Sequence, residues 1–127
     1  MDDPIAEGCR GLMEWSDPVI YDRLQTIYQS KLGHLGEARN LALLHAKIWR
    51  ALISGEYESF AELRQALVTA LQSVSLSLED FAAADAEILV ELLEIVVARF
   101  QRSQRTAVGY HLALIELSRH MALPTAA

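Results

Sequence analysis

The sequence predicts an all-α protein, a single bundle of five or six helices. Apolar residues recur at spacings of three and four along almost all of the 127 residues, and no segment alternates at period two for long enough to form a strand. The composition agrees, because 52% of the residues are hydrophobic while Gly and Pro number only 6 and 3. Since no repeat or linker is visible, residues 1–127 are expected to form one domain around one core.

The first third of the chain is predicted to form two helices. Pro4 suits a first helical turn, so the first helix is expected over residues 4–14. Pro18 lacks a backbone donor and is expected to restart the chain into a second helix that ends near Leu32. The sequence "GHLGE", residues 33–37, is typical of a turn.

Two further helices are predicted in the middle of the chain. One is expected over residues 37–54, because Gly55 can adopt the left-handed conformation that commonly ends a helix. Ser59 followed by Glu62 indicates a capping box that would open another helix toward Val74. In such a box each side chain satisfies a backbone N–H that the first turn leaves without a partner.

The last part of the chain is predicted to form two long helices. Ser77 followed by Asp80 is a second, weaker capping-box pattern and indicates the start of the first of these helices. Across residues 78–121 a single glycine interrupts the helical pattern, so a bend or short break is expected around residues 102–108. The residues from Pro124 onward are expected to be disordered.

Charge and composition argue against several classes of partner and location. The formal net charge of −6 disfavours nucleic acid, whose phosphates require clustered Lys and Arg. The acidic start "MDDPIAEGCRG" lacks the features of a secretory signal, and the most apolar stretch, residues 88–100, contains two glutamates and is shorter than the ~20 residues of a membrane span. A lone Cys9 fits a reducing compartment, as a packing residue or a redox sensor. A cytoplasmic protein is therefore expected.

No residue pattern supports an enzyme or a metal site. Glu87, Glu91 and Glu94 share one helical stripe, but di-iron bundles also need Glu-x-x-His pairs, which the chain lacks. This stripe is therefore interpreted as a solvated edge. Glu116 and His120 stand four residues apart, yet two ligands do not make a site. The sequence also contains no Gly-rich phosphate loop, nucleophile elbow or HExxH motif.

The stretch "LLHAKIWRALISGEY", residues 43–57, contains the candidate functional residues. His45 shares an apolar helical stripe with Ile48 and Leu52, so it faces the core or a cavity. It is either a core residue hydrogen-bonded to a neighbouring helix or, together with Trp49 and Tyr57, part of a pocket for a planar or small apolar ligand. Both interpretations are open at this point.

The segment "LISGEYESFAELRQAL", residues 52–67, resembles bacterial sensor globins. In that family one helix ends in a Phe-Ser-Gly-like turn, followed by an aromatic-acidic pair and the next helix. The resemblance implies a globin-like fold that dimerises through its last two helices. At the expected position of the haem-ligating proximal histidine this sequence has Leu71 or Gln72, and no histidine lies between residues 46 and 110. The resemblance therefore implies a globin-like protein that has lost haem.

The last two predicted helices carry more apolar residues than one buried face requires. Residues 88–100 are apolar nearly all round, and residues 107–121 carry two apolar faces. Since a surface helix needs only one such stripe, the second faces are expected to form a homodimer interface. The predicted interface residues are Leu89, Leu92, Val96, Phe100, Leu112 and Ile115.

These features predict a non-enzymatic signalling or regulatory module. It would be a cytoplasmic homodimer that binds a protein partner or a small ligand and carries no cofactor. Two alternatives are retained. One is a haem-binding gas or redox sensor of globin type with His45 or His111 as the axial ligand, and the other is a helical assembly or chaperone protein, because helical bundles serve in all these roles.

Overall fold

A computed structural model describes residues 3–33, 35–100 and 104–122, and this part of the chain forms five α-helices and no strand. They are α1 (Pro4–Leu32), α2 (Leu35–Ser54), α3 (Tyr57–Ser73), α4 (Leu78–Phe100) and α5 (Gln104–Ala122). The predicted all-α class is confirmed. Within the described ranges, no helix combines the length and apolarity that crossing a bilayer requires.

Two predictions on the last part of the chain fall wholly or partly outside the described residues. The predicted break at 102–108 overlaps residues 101–103, which are not described, and residues 104–108 belong to α5. The expected disorder from Pro124 onward lies outside the described residues.

Helix α1 is one helix of 29 residues, so the predicted division at Pro18 was wrong. Its start agrees with the sequence, because Asp3 accepts a hydrogen bond from the backbone N–H of Ile5 at 3.0 Å and Pro4 occupies the first turn. A proline inside a helix removes one hydrogen bond and crowds the preceding turn. Here the fully buried Leu12 and Leu24 lie on either side of it, and their packing outweighs this local cost.

The capping predictions for α3 and α4 had opposite outcomes. Helix α3 begins at Tyr57, two residues before Ser59, and its N-cap residue makes no side-chain capping bond, so that capping box was wrong. Helix α4 begins as predicted. The Asp80 carboxylate accepts from the Ser77 backbone N–H at 2.9 Å, and the Asp80 N–H donates to the Ser77 hydroxyl at 3.4 Å. Lys31, in the last turn of α1, bonds to the same Asp80 side chain at 3.1 Å.

The bundle is organised around α1 and α2, which pack closely along each other. Helix α5 lies against α1 and α4, and α3 packs on α2. The largest fully buried side chains come from all five helices: Leu12, Ile20, Leu24, Tyr28, Ile48, Trp49, Leu52, Leu67, Leu71, Ile88, Leu92 and Leu114. These side chains belong to one hydrophobic core cluster.

Helices α1 and α5 cross at a point where only glycine fits. A Cβ atom added to Gly8 would clash with the backbone carbonyl of Gly109 and lie 2.8 Å from the Ala113 Cβ. Beside this crossing the Trp15 indole N–H donates to the Tyr110 hydroxyl at 3.2 Å. The crossing therefore holds the first half of α1 against α5.

We expect Gly8→Ala to lower the free energy of unfolding by about 1–3 kcal/mol, since the new methyl group meets backbone rather than a flexible side chain. Gly36→Ala, in α2, is the matched control, because no atom lies within 4 Å of its added Cβ. There the higher helix propensity of alanine should raise stability by up to about 1 kcal/mol. Urea denaturation followed by circular dichroism measures both. Equal stabilisation by the two changes would contradict the close crossing.

Candidate functional site

His45 is fully buried in α2 and hydrogen-bonded on both sides of its ring. Its Nδ1 atom lies 2.6 Å from the Tyr28 Oη on α1, and its Nε2 atom lies 2.6 Å from the Asp85 Oδ1 on α4. One side chain thus connects three helices. We call Tyr28, His45, Trp49 and Asp85 the buried polar network.

Trp49 joins the network through the same carboxylate oxygen. It lies four residues after His45, so both side chains point from one face of α2. Its indole N–H donates to the Asp85 Oδ1 at 3.0 Å. The Asp85 side chain is only 12% exposed, and it accepts from both Trp49 and His45. These bonds offset part of the cost of holding a carboxylate away from water.

The geometry identifies which atoms of His45 donate and accept. A carboxylate can only accept, so the Nε2 atom carries a proton and donates to Asp85. Burial raises the pKa of Tyr28 well above its ordinary value of 10, and the charges of Asp85 and Asp80 add to this effect. The phenol therefore keeps its proton and donates to Nδ1. A neutral imidazole satisfies every donor and acceptor in this chain of bonds.

Two further side chains lie against the network. The Phe81 ring stacks on the His45 ring with a centroid separation of 4.6 Å and an interplanar angle of 11°. The Arg64 guanidinium, from α3, lies 5.6 Å from the centroid of the Phe81 ring. Burial lowers the pKa of Arg64, while the negative charge of Asp85 acts in the opposite direction. A cation from α3 therefore lies within the field of the network's single carboxylate.

The connectivity of the network is hydroxyl, imidazole, carboxylate. Catalytic groups that activate a nucleophile share this order, but they must also reach a substrate. The Tyr28 and His45 side chains have no exposed surface. In this arrangement the three groups join helices and do not present a nucleophile.

The structure brings together two of the three predicted site residues. His45 and Trp49 share Asp85, whereas Tyr57, the first residue of α3, is 53% exposed and lies at the surface. His45 thus occupies the position of a hydrogen-bonded core residue, the first of the two interpretations that the sequence allowed.

Sequence reasoning missed Tyr28 and Asp85. Both could have been found from helical spacing. Asp85 lies four residues after the buried Phe81 and three before the buried Ile88, and Tyr28 lies four residues after the buried Leu24. A carboxylate on an apolar stripe is a sign of a buried partner.

Two of the predicted interface residues were wrong. Leu92 and Val96 have no exposed surface in the single chain, because the stripe they form faces the core. Leu89 and Phe100 are partly buried against that core. Leu112 and Ile115 are exposed, as an interface requires. The other large exposed apolar side chains of these helices are Leu78, Val90 and Val97 on α4 and Val108 on α5.

The glutamate stripe of α4 lies along an open groove of about 280 Å³. Arg23 from α1 approaches Glu87 at 3.6 Å, and both side chains are about half exposed. Glu91 and Glu94 line the same groove together with Val90. This placement agrees with a solvated helix edge. Within the described residues, no three His, Cys, Asp or Glu side chains are grouped so as to hold a metal ion.

Two other residues singled out from the sequence lie near the end of the bundle. Glu116 pairs with Arg119 at 3.2 Å, and the side chain of its predicted companion His120 lies outside the described residues. Cys9 is partly buried against the core, and this burial raises the pKa of its thiol, with smaller contributions from Asp3 and Glu116. Its environment is that of a packing residue.

The chain matches no protein-family model, no curated protein and no solved structure. The geometry of the network and of the surface therefore carries the functional argument.

We expect His45→Leu to lower the free energy of unfolding by about 2–5 kcal/mol, because it removes the acceptor of the buried Tyr28 hydroxyl and one of the two donors to the Asp85 carboxylate. His111→Leu is the matched control, since His111 is only half buried on α5 and its loss should change stability by less than about 0.5 kcal/mol. Urea denaturation compares the two. A His45→Leu effect as small as that of His111→Leu would show that the network contributes nothing to stability.

The raised pKa of Tyr28 predicts that the folded protein loses stability at alkaline pH. Its pKa is higher in the folded chain than in the unfolded chain, where it is close to 10. As pH rises above that value, the unfolded chain releases a proton that the folded chain retains, so the free energy of unfolding decreases. We expect the stability of Tyr28→Phe to fall less steeply than that of the wild type between about pH 9 and 11. Urea midpoints measured across this range test it, and identical slopes would contradict it.

Proposed function

We propose that the protein is a non-enzymatic regulatory module that acts as a homodimer, formed through the outer face of α5 and the adjoining exposed side of α4. The term outer face denotes Val108, Leu112 and Ile115 on α5 and Val90 and Val97 on α4.

The exposed apolar stripe of α5 carries the proposal. Val108, Leu112 and Ile115 are 51%, 38% and 56% exposed. Their spacing of four and then three residues is that of a coiled-coil seam, which places all three on one side of the helix. The opposite side of α5 is already buried against the bundle through Tyr110 and Leu114. This helix therefore has a second apolar side that a single chain leaves uncovered.

We propose that the exposed valines of α4 extend this surface, and Val90 also lines the glutamate groove beside Arg23. Val90 and Val97 lie two turns apart and are each 53% exposed. Because α4 and α5 pack against each other, these five exposed side chains of the outer face lie on one helix pair, which also carries the exposed Leu78 at the start of α4. Elsewhere the large exposed apolar residues are single ones, such as Met13 and Leu43. Isolated residues of that kind are ordinary, whereas a group of them is typical of an interaction surface.

The buried polar network supports a role without catalysis. Its titratable groups hold α1, α2 and α4 together, and Tyr28 and His45 are closed to solvent. In the proposed module this rigid interior presents the outer face in a defined geometry. Recognition of a partner then changes the assembly of the protein and not a covalent bond.

The likeness to sensor globins belongs to the same proposal. That resemblance implies dimerisation through the last two helices, which are the helices that carry the outer face. We propose that the module works without haem. Both ring nitrogens of His45 are engaged by protein groups, and at the position of the proximal histidine Leu71 is buried in the core while Gln72 is exposed.

We expect the wild-type protein to sediment as a dimer at micromolar concentration, and Ile115→Glu to sediment as a monomer with unchanged helical content. A charge placed in the centre of an apolar interface must be desolvated on association, which disfavours the dimer. Leu43→Glu is the matched control, because Leu43 is 49% exposed on α2, away from the outer face. It should remain dimeric. A monomeric wild type, or equal effects of the two substitutions, would overturn the proposal.

A further inference from the structure

We propose that α3 is a hinged cover over the buried polar network, which opens at Gly55 and Ser75 while the other four helices stay packed, and that the contact of Arg64 with Phe81 holds it closed. This conformational device is independent of the proposed self-association, because none of its residues belongs to the outer face.

The turn before α3 and the turn after it each contain a residue in the left-handed backbone conformation. Gly55 has φ 80° and no neighbouring atom within 4 Å of an added Cβ, so its surroundings are open. Ser75 has φ 64°, which is unfavourable for a residue with a side chain. Residues 54–59, before and at the start of the helix, are all exposed. Rotation at these two turns would move α3 as a unit, and beside Ser75 it would displace the partly buried Val74 and Leu76 from the core.

The packing of α3 is lighter than that of the helices around it. Among the described helices it packs closely only on α2. Its fully buried side chains are Leu67 and Leu71, whereas α1 buries seven residues along its length. Regions with few buried apolar contacts open at a lower free energy than the whole protein. Helix α3 is therefore the element expected to detach first.

Arg64 approaches the network through Phe81. Its guanidinium lies 5.6 Å from the centroid of the Phe81 ring, and the Phe81 ring stacks on His45. Asp85 acts electrostatically on the same arginine. Opening of α3 would remove this cation and uncover Phe81 and Asp85. Water or a small polar ligand could then reach the carboxylate and the imidazole, which the closed form shields.

Hydrogen exchange measured by mass spectrometry on the full chain tests this inference. In the wild type we expect the amides of α3 to exchange faster than those at the centres of α1 and α4. Arg64→Met keeps an unbranched side chain but removes the cation, and we expect it to speed exchange in α3 about 3- to 10-fold while leaving α1 unchanged. Arg39→Met, at an exposed position of α2, is the control and should change neither helix.

Two results would overturn the inference. One is exchange of α3 at the same rate as α1 in the wild type, which would mean that α3 opens only when the whole protein unfolds. The other is an Arg64→Met effect that is absent from α3 or spread equally over all helices. The wild-type comparison stands by itself if Arg64→Met does not fold. The same measurements on Ile115→Glu separate this device from dimerisation, because the cover should behave identically in a monomer.

Discussion

The hydrogen bonds on either side of His45 are the constraint on which the rest of the bundle depends. A buried imidazole that lost either partner would carry an unsatisfied polar atom, and without His45 the Asp85 carboxylate would keep only the hydrogen bond from Trp49. Both bonds form only when α1, α2 and α4 have the correct rotation and register together. Apolar contacts tolerate small slips of one helix along another, whereas two bonds of 2.6 Å do not. The network therefore adds a geometric requirement to the packing of these three helices.

The reactive groups and the exposed apolar groups of the protein lie in different places, and this arrangement limits the kinds of function it can have. The groups with chemical reactivity, a phenol, an imidazole and a carboxylate, lie in the interior and engage each other. The surface of α4 and α5 presents aliphatic side chains beside a glutamate edge. A molecule built in this way is suited to recognition through shape and apolar burial. In the proposed module, access to the interior and association at the surface are separate properties carried by separate helices.

Much of the helical architecture could be predicted from the sequence because apolar periodicity is a local property. The end of α2 at Gly55, the cap at Ser77 and the inward orientation of His45 all follow from spacing within one helix. The continuity of α1 through Pro18 could not be predicted from the sequence. The local cost of a proline inside the helix is offset by packing against other helices, which is not a local property. The sequence also could not show that Leu92 faces the core while Val90 faces solvent, because both lie in a helix that is apolar nearly all round.

The candidate site was predicted only in part for a related reason. His45 and Trp49 are neighbours on one helix, so the sequence places them together. Their partners Tyr28 and Asp85 lie 17 and 40 residues from His45, and no local rule connects such distant positions. Tyr57 was grouped with them because it is close in the sequence, but the turn at Gly55 carries it to the surface.

The crossing of α1 and α5 has a consequence for the order of events during synthesis. The Trp15–Tyr110 hydrogen bond joins residues 95 positions apart, and Gly8 meets Gly109 beside it. A chain emerging from the ribosome can pair α1 with α2 early, because that contact needs only a short loop. The remaining side of α1 stays exposed to water until α5 has been made. Among the five helices, α1 is thus synthesised before the others yet depends on α5 to cover its second side.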